Sequence, residues 1–193
     1  MDKITFEKIM KHSLQLMDGS RDPQHCESHL ERVDKNAQKI VKILNLQNNI
    51  DLNLLRSVCY LHDLTFSKHK PGMVNHFREG KRVKKIVIKF LKDYDLTEQE
   101  KLIIINAVWK HTFSFPWRRL NKKEDDYARV VQDADTLDEF STERLESLVD
   151  SAKQYFMYKV IKKLSKKSIP WIRRHVGLFL NYPELGKEFY YGD

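Results

Sequence analysis

The sequence predicts an all-α fold, on two observations. Only six Gly and five Pro occur in 193 residues, so the punctuation that separates many short strands is largely missing. Apolar residues instead recur at helical spacing over long stretches. The length suits one domain with a substantial core. Residues 1–193 therefore read as a single compact helical unit, with its motifs between about 25 and 140 and further helices over about 141–181.

The elements follow in order. Ile4, Phe6, Ile9, Met10, Leu14 and Met17 define a first helix, which Asp18-Gly19 stops. The polar segment SRDPQHCES reads as a loop delivering His25 and His29 to the next helix. Leu30, Val33, Ala37, Ile40, Val41 and Leu44 form the stripe of a helix over 28–46. Asp51 is placed to cap a third helix, whose apolar run Leu55, Val58, Cys59 and Leu61 ends in His62-Asp63. Residues 65–74, with Pro71-Gly72, read as a loop, followed by a helix over about 75–93 with the stripe Val83, Ile86, Val87, Phe90 and Leu91.

Thr97 and Glu100 have the spacing of a capping box ahead of a fifth helix that ends at His111. After the aromatic, basic loop FSFPWRRLNKK, a sixth helix over about 124–140 carries Tyr127, Val130, Val131, Ala134 and Leu137 on one face, with Asp133, Asp135 and Asp138 alongside. Helical stretches over about 142–165 and 169–180 follow, with EFYYGD as a tail of no assigned role. No internal repeat or low-complexity segment is present.

Composition narrows the function. Two cysteines, Cys26 and Cys59, are too few for a disulfide framework or a four-cysteine zinc site, and MDKITFEKIM has charges where a signal peptide is apolar, so a cytoplasmic protein is expected. The longest apolar run, LIIINAVW at 102–109, is far short of a membrane span, which excludes integral membrane function. With 35 Lys plus Arg against 27 Asp plus Glu, the net charge of +8 suits partners that carry phosphates, either small nucleotides or nucleic acid. The basic pairs Lys162-Lys163, Lys166-Lys167 and Arg173-Arg174 read more simply as a solvated helix face.

Five of the eight histidines, His25, His29, His62, His76 and His111, fall at helix ends, and three aspartates share one helix. Packed helix ends readily bring imidazoles and carboxylates together around a divalent metal. An ionisable His62-Asp63 pair directly after LRSVCYL is costly to bury without a partner, which is either a hydrogen-bonded helix terminus or a metal. His76 and His111 have ordinary alternatives as a first-turn surface residue and a cation favoured by a helix C-terminus. His25 and His69 read as solvent-exposed loop residues.

HLERV at 29–33, LHDL at 61–64, HFREG at 76–80, His111 and DADTLD at 133–138 occur in the order of the HD superfamily, and over residues 25–140 the chain resembles an HD-domain phosphohydrolase. The resemblance implies that His29, His62, Asp63 and an aspartate of DADTLD hold one divalent metal, commonly manganese, iron, nickel or cobalt. Helical periodicity does not choose among the three aspartates; the family pattern of Ala-Asp followed by Leu implies Asp135. His62 and Asp63 are then catalytic, Asp63 orienting a water or taking its proton. His76 and His111 match positions that bind a second metal or hold the phosphate, and Arg32, Lys68, Lys110, Arg118 and Arg119 are cations available to phosphate oxygens, with a solvated surface as their plain alternative.

The implied activity is hydrolysis of a phosphate ester or anhydride. A small phosphorylated substrate is expected, a nucleotide first, with Phe113, Phe115 and Trp117 available to stack a base. The chain departs from many similar proteins in continuing as EFSTERLES after the last motif, where they have small residues and Gly, so the pocket wall there differs. The alternative is a non-catalytic HD-like module that binds nucleotide or nucleic acid, and a diiron oxygenase is a more distant third reading. The helices after 141 are expected to complete the core or to form a homodimer surface, without a catalytic residue among them.

Overall fold

Among the residues described by the computed structural model, 1–111 and 120–190, the chain is helical and contains no strand. The side chains of Met73, Asn75, His76, Phe77, Lys166 and Lys167 are not included in that description. The proposed stacking residues Phe113, Phe115 and Trp117, the cations Arg118 and Arg119, and the His76 imidazole thus lie outside the described residues. The helices are α1 (Lys3–Met17), α2 (Glu27–Ile43), α3 (Leu52–Leu61), α4 (Met73–Phe90), α5 (Glu98–His111), α6 (Asp126–Glu139), α7 (Thr142–Gln154), α8 (Phe156–Arg174) and α9 (Leu185–Tyr190), with single 3-10 turns at Leu64–Ser67, Leu91–Asp93 and Val176–Phe179.

The caps explain most boundaries. Asp2, Asp51, Asp125 and Ser141 each accept a hydrogen bond from the backbone N–H three residues on, which satisfies a helix-start donor. At α5 the capping box is complete, since Glu100 N–H donates to Thr97 Oγ1 at 3.2 Å and Thr97 N–H donates to Glu100 Oε2 at 2.8 Å. α2 stops at Ile43, short of the expected 46, because Asn45 adopts φ 54° and Leu46 N–H turns back to Val41 O at 3.0 Å.

α2 packs against α3 and α6, while α5 packs against α3, α4 and α6. Their buried apolar faces, including Leu30, Val33 and Ile40, Leu55, Val58 and Leu61, Ile104 and Val108, and Val130, Val131 and Leu137, make one continuous core. Polar ties set the register across it. Asp34 of α2 accepts hydrogen bonds from Arg56 of α3 at 2.9 and 3.0 Å, and Asn36 Nδ2 donates to Ala134 O of α6 at 3.1 Å. The start of α2 and the ends of α3, α5 and α6 meet at one end of this core.

The C-terminal region differs from the expectation of a helix to about 165 and another from 169. Tyr155 is extended, at φ −128° and ψ 128°, and divides α7 from α8. Two ring hydroxyls explain the break: Tyr155 Oη donates to Arg21 O at 2.9 Å and Tyr158 Oη donates to Asp22 Oδ1 at 2.5 Å. α8 then continues through Pro170, held by partly buried Ile169 and fully buried Ile172 on either side of it. Part of the tail is also helical, and Tyr190 Oη of α9 donates to Leu137 O at 2.7 Å.

Asp133 anchors this region to α6. Its carboxylate is buried and accepts from Asn181 N–H at 2.8 Å, Asn181 Nδ2 at 2.8 Å and Tyr182 N–H at 3.0 Å. Asp133→Ala leaves buried donors without their acceptor and is expected to lower unfolding stability by about 3 kcal/mol. Denaturant unfolding of the variant measures this, and metal content should stay unchanged because the carboxylate faces residues 181–182.

Candidate metal centre

His62 is the last turn's cap on α3. Its Nδ1–H donates to Cys59 O at 2.7 Å, one of the carbonyls a helix end leaves unpaired. Asp63 follows at φ −108° and ψ 13°, outside helical geometry, which lets the two neighbouring side chains reach one point. His111 ends α5 in the same manner, with Nδ1–H donating to Val108 O at 2.6 Å. His29, in the first turn of α2, donates from Nδ1 to Asp138 Oδ2 at 2.7 Å. All three rings are buried and anchored through Nδ1, so each turns Nε2 inward.

The inward atoms converge. His29 Nε2 lies 3.1 Å from His62 Nε2 and 3.0 Å from Asp63 Oδ2, His62 Nε2 lies 3.3 Å from the same oxygen, and Asp135 Oδ1 lies 3.6 Å from His29 Nε2. With each Nδ1 engaged outward, the two Nε2 atoms and a carboxylate oxygen face one another. Asp63 Oδ2 is moreover buried without accepting a hydrogen bond. Such a set is stable only with positive charge inside it. Donors about 2.1 Å from a cation and at right angles to each other are roughly 3.0 Å apart, so the residues present fit a divalent metal.

A second group adjoins the first. His62, Asp63 and His111 present ligand atoms within 4.8 Å of one another. Asp63 Oδ1 lies 3.6 Å and Glu79 Oε1 3.5 Å from His111 Nε2. Glu79 of α4 belongs to the HFREG segment, but sequence reasoning singled out only His76 there; the signal was a second ionisable residue one turn along on the same helix.

Electrostatics follow from this packing. Burial alone would raise the Asp63 carboxyl, but the His62 and His25 imidazoles and contacts with His111 and His29 hold it well below the ordinary carboxylate range. Burial disfavours a charged His111, yet Asp63 and Glu79 outweigh it and raise the ring to about 10. Asp138, desolvated but paired with His29 and Arg32, is likewise held down.

His25 is not the exposed loop residue its polar segment suggests. Its ring stacks on Phe66 with centroids 4.0 Å apart, its Nδ1 lies 3.0 Å from Asp22 Oδ2, and its Nε2 lies 3.9 Å from Asp63 Oδ2. Against the cost of burial, Asp22 and Asp63 raise it to about 9. Asp22 in turn is fixed by Tyr158 of α8, whose own hydroxyl is pushed far up by burial and by that carboxylate.

Arg144 of α7 completes the surroundings. The buried guanidinium donates to Gln24 O, approaches His25 Nε2 at 3.4 Å and lies 3.7 Å from Asp138 Oδ2. The helices after 141 therefore reach the centre as well as the core. Arg32 faces Asp138, with Nε–Oδ1 at 2.5 Å and Nη2–Oδ2 at 3.2 Å, and Lys110 pairs with Glu124 at 2.6 Å. Of the proposed phosphate-holding cations, Arg32 and Lys110 are thus engaged with carboxylates.

The HD-domain family model matches residues 27–139, more than half of the chain. The chain belongs to the HD-domain family. HD domains are those of a metal-dependent hydrolase superfamily, and the matched segment spans His29, His62, Asp63, Glu79, His111, Asp135 and Asp138 while leaving out His25 and Arg144. No curated protein and no solved structure matches the chain significantly. No described helix of this HD-domain chain is long and apolar enough to cross a membrane.

Removing Arg144 leaves Asp138 short of one cation and Gln24 O short of a donor. Arg144→Met is expected to destabilise the protein by about 3 kcal/mol, the scale for breaking a buried charge pair, with Arg144→Lys recovering only part of it. Urea unfolding of the two variants beside wild type checks the order.

Proposed function

We propose that this HD-domain protein is a phosphohydrolase that cleaves a phosphate ester or anhydride, with His29, His62, Asp63 and Asp135 holding one divalent cation. The observation that carries the reading is the convergence of His29 Nε2, His62 Nε2 and the hydrogen-bond-free Asp63 Oδ2 within 3.0 to 3.3 Å. Asp135 supports it as the fourth donor, whereas Asp133 is committed to residues 181–182. Manganese, iron, nickel and cobalt all suit this mixed imidazole and carboxylate set.

When bound, the cation lowers the pKa of a water toward neutrality and offsets charge on phosphoryl oxygens. Asp63 directs one oxygen at His29 and His62 and the other at His111, so a single ionised carboxylate serves as ligand and proton acceptor. His62 holds its place through Cys59 O and is the second catalytic residue of the pair. His111, protonated at neutral pH by virtue of Asp63 and Glu79, offers an Nε2 proton to a phosphate oxygen, or with Glu79 the start of a second cation site. His76 shares that alternative through its motif position.

A nucleotide is the proposed substrate class, on the aromatic and basic sequence FSFPWRR that follows His111. A cytoplasmic setting accords with Cys26 and Cys59, both free thiols. The motif-bearing core and the helices after 141 are taken as one functional unit, because Arg144 and Tyr158 support the centre from outside the matched segment.

Two measurements test this. Metal analysis is expected to find a transition metal in wild type and none in His62→Ala or Asp63→Ala with helical content retained; full metal content in both variants refutes the ligand set. With manganese, wild type should release phosphate or pyrophosphate from one or more of a nucleotide panel, and Asp63→Ala should lose about a thousandfold in kcat. Metal-loaded wild type that binds nucleotides and turns over none would move the reading to a non-catalytic binding module.

A further inference from the structure

The charge of this chain is segregated. Residues 151–183 contain eight Lys and Arg and no Asp or Glu, and the remainder holds 27 of each sign, so one C-terminal segment carries the whole net charge of +8. Most of that segment is α8.

α8 is amphipathic beyond what the fold uses. Tyr158 and Ile172 turn inward, and the helix rests on α7 and α9. Phe156, Val160, Leu164 and Trp171 follow one another at spacings that place them along a single stripe. That stripe faces outward, with Phe156 81%, Val160 42%, Leu164 65% and Trp171 53% exposed. Exposed Lys159 and Lys163 lie beside this stripe on the same helix, and Arg174 is exposed at its end.

A row of exposed large apolar side chains flanked by lysines marks a contact surface. Its charge selects the occupant. A second copy of the chain would bring the same all-positive segment against itself about a two-fold axis. Nucleic acid would satisfy the lysines but gives Val160 and Leu164 no base-stacking role. An anionic bilayer satisfies both faces, since headgroups meet the lysines while Phe, Val, Leu and Trp enter the headgroup and acyl boundary. We infer that α8 is a peripheral membrane-binding helix that lays Phe156, Val160, Leu164 and Trp171 onto an anionic lipid surface. It lies on the surface and spans nothing. This inference does not depend on the hydrolase reading.

The test is co-sedimentation of the full chain with vesicles of phosphatidylcholine alone and with about one third phosphatidylglycerol. Binding is expected only to the anionic vesicles and should fall with added salt. It should weaken at least about tenfold in Phe156→Glu/Leu164→Glu and in Lys159→Glu/Lys163→Glu, all at exposed positions, with circular dichroism and metal content unchanged. A blue shift of tryptophan emission on vesicle addition should vanish in Trp171→Phe. The inference is overturned by no binding to anionic vesicles at low salt, or by undiminished binding of Phe156→Glu/Leu164→Glu. Tight binding to single-stranded DNA in place of vesicles, or a dimer in solution that Leu164→Glu dissociates, would overturn it equally.

Discussion

Asp138 has almost no access to water, and three side chains are organised around its charge. His29 of α2 donates to it from Nδ1, Arg32 of the same helix grips it with two nitrogens, and Arg144 approaches from α7. A buried carboxylate with fewer partners would take up a proton instead of staying ionised. Kept ionised, it fixes the His29 tautomer, and that decides which nitrogen faces His62 and Asp63. The geometry of the centre thus depends on an aspartate that sits one turn beyond Asp135 on α6.

Two helix ends repeat a second device. His62 and His111 each bond back to the carbonyl three residues earlier, at Cys59 and Val108. The bond satisfies a helix-end acceptor and orients the ring in one step, so an element boundary becomes a site feature without further residues. It also accounts for the apparent cost of ending the apolar run of α3 in an ionisable pair: the imidazole is fully bonded on one side and faces charge on the other.

Elements and ligands differed in how readable they were from the chain. Helices α1 to α6 were legible because apolar periodicity and side-chain caps such as Asp51 and Thr97 with Glu100 are local properties. The break at Tyr155 was not, because its cause lies over a hundred residues away at Arg21 and Asp22. The ordered motifs marked His29, His62, Asp63, His111 and Asp135, all of which lie together. Periodicity alone could not divide the three aspartates, of which Asp135 faces His29, Asp138 supports it and Asp133 anchors the C-terminal region. His25, Glu79 and Arg144 were missed as members for the same reason as Tyr155: a polar loop, the second turn of a basic helix and a charged stretch look solvated until the elements they face are known.

That dependence gives the C-terminal helices two separate duties. Their inner surface is polar and specific: Gln24 donates to Ser147 and Ser151 at 2.8 Å each, Arg144 closes on Asp138, and Tyr158 closes on Asp22. These bonds lock the segment that carries His25 against Asp63. The outer surface of α8 makes no such demands, and it is there that unopposed lysines and large apolar side chains have accumulated. Because Tyr158 and Phe156 are two residues apart on one helix, the outer stripe and the Tyr158–Asp22 bond beneath the His25 segment belong to a single element, one face of it used by the fold and the other left to solvent.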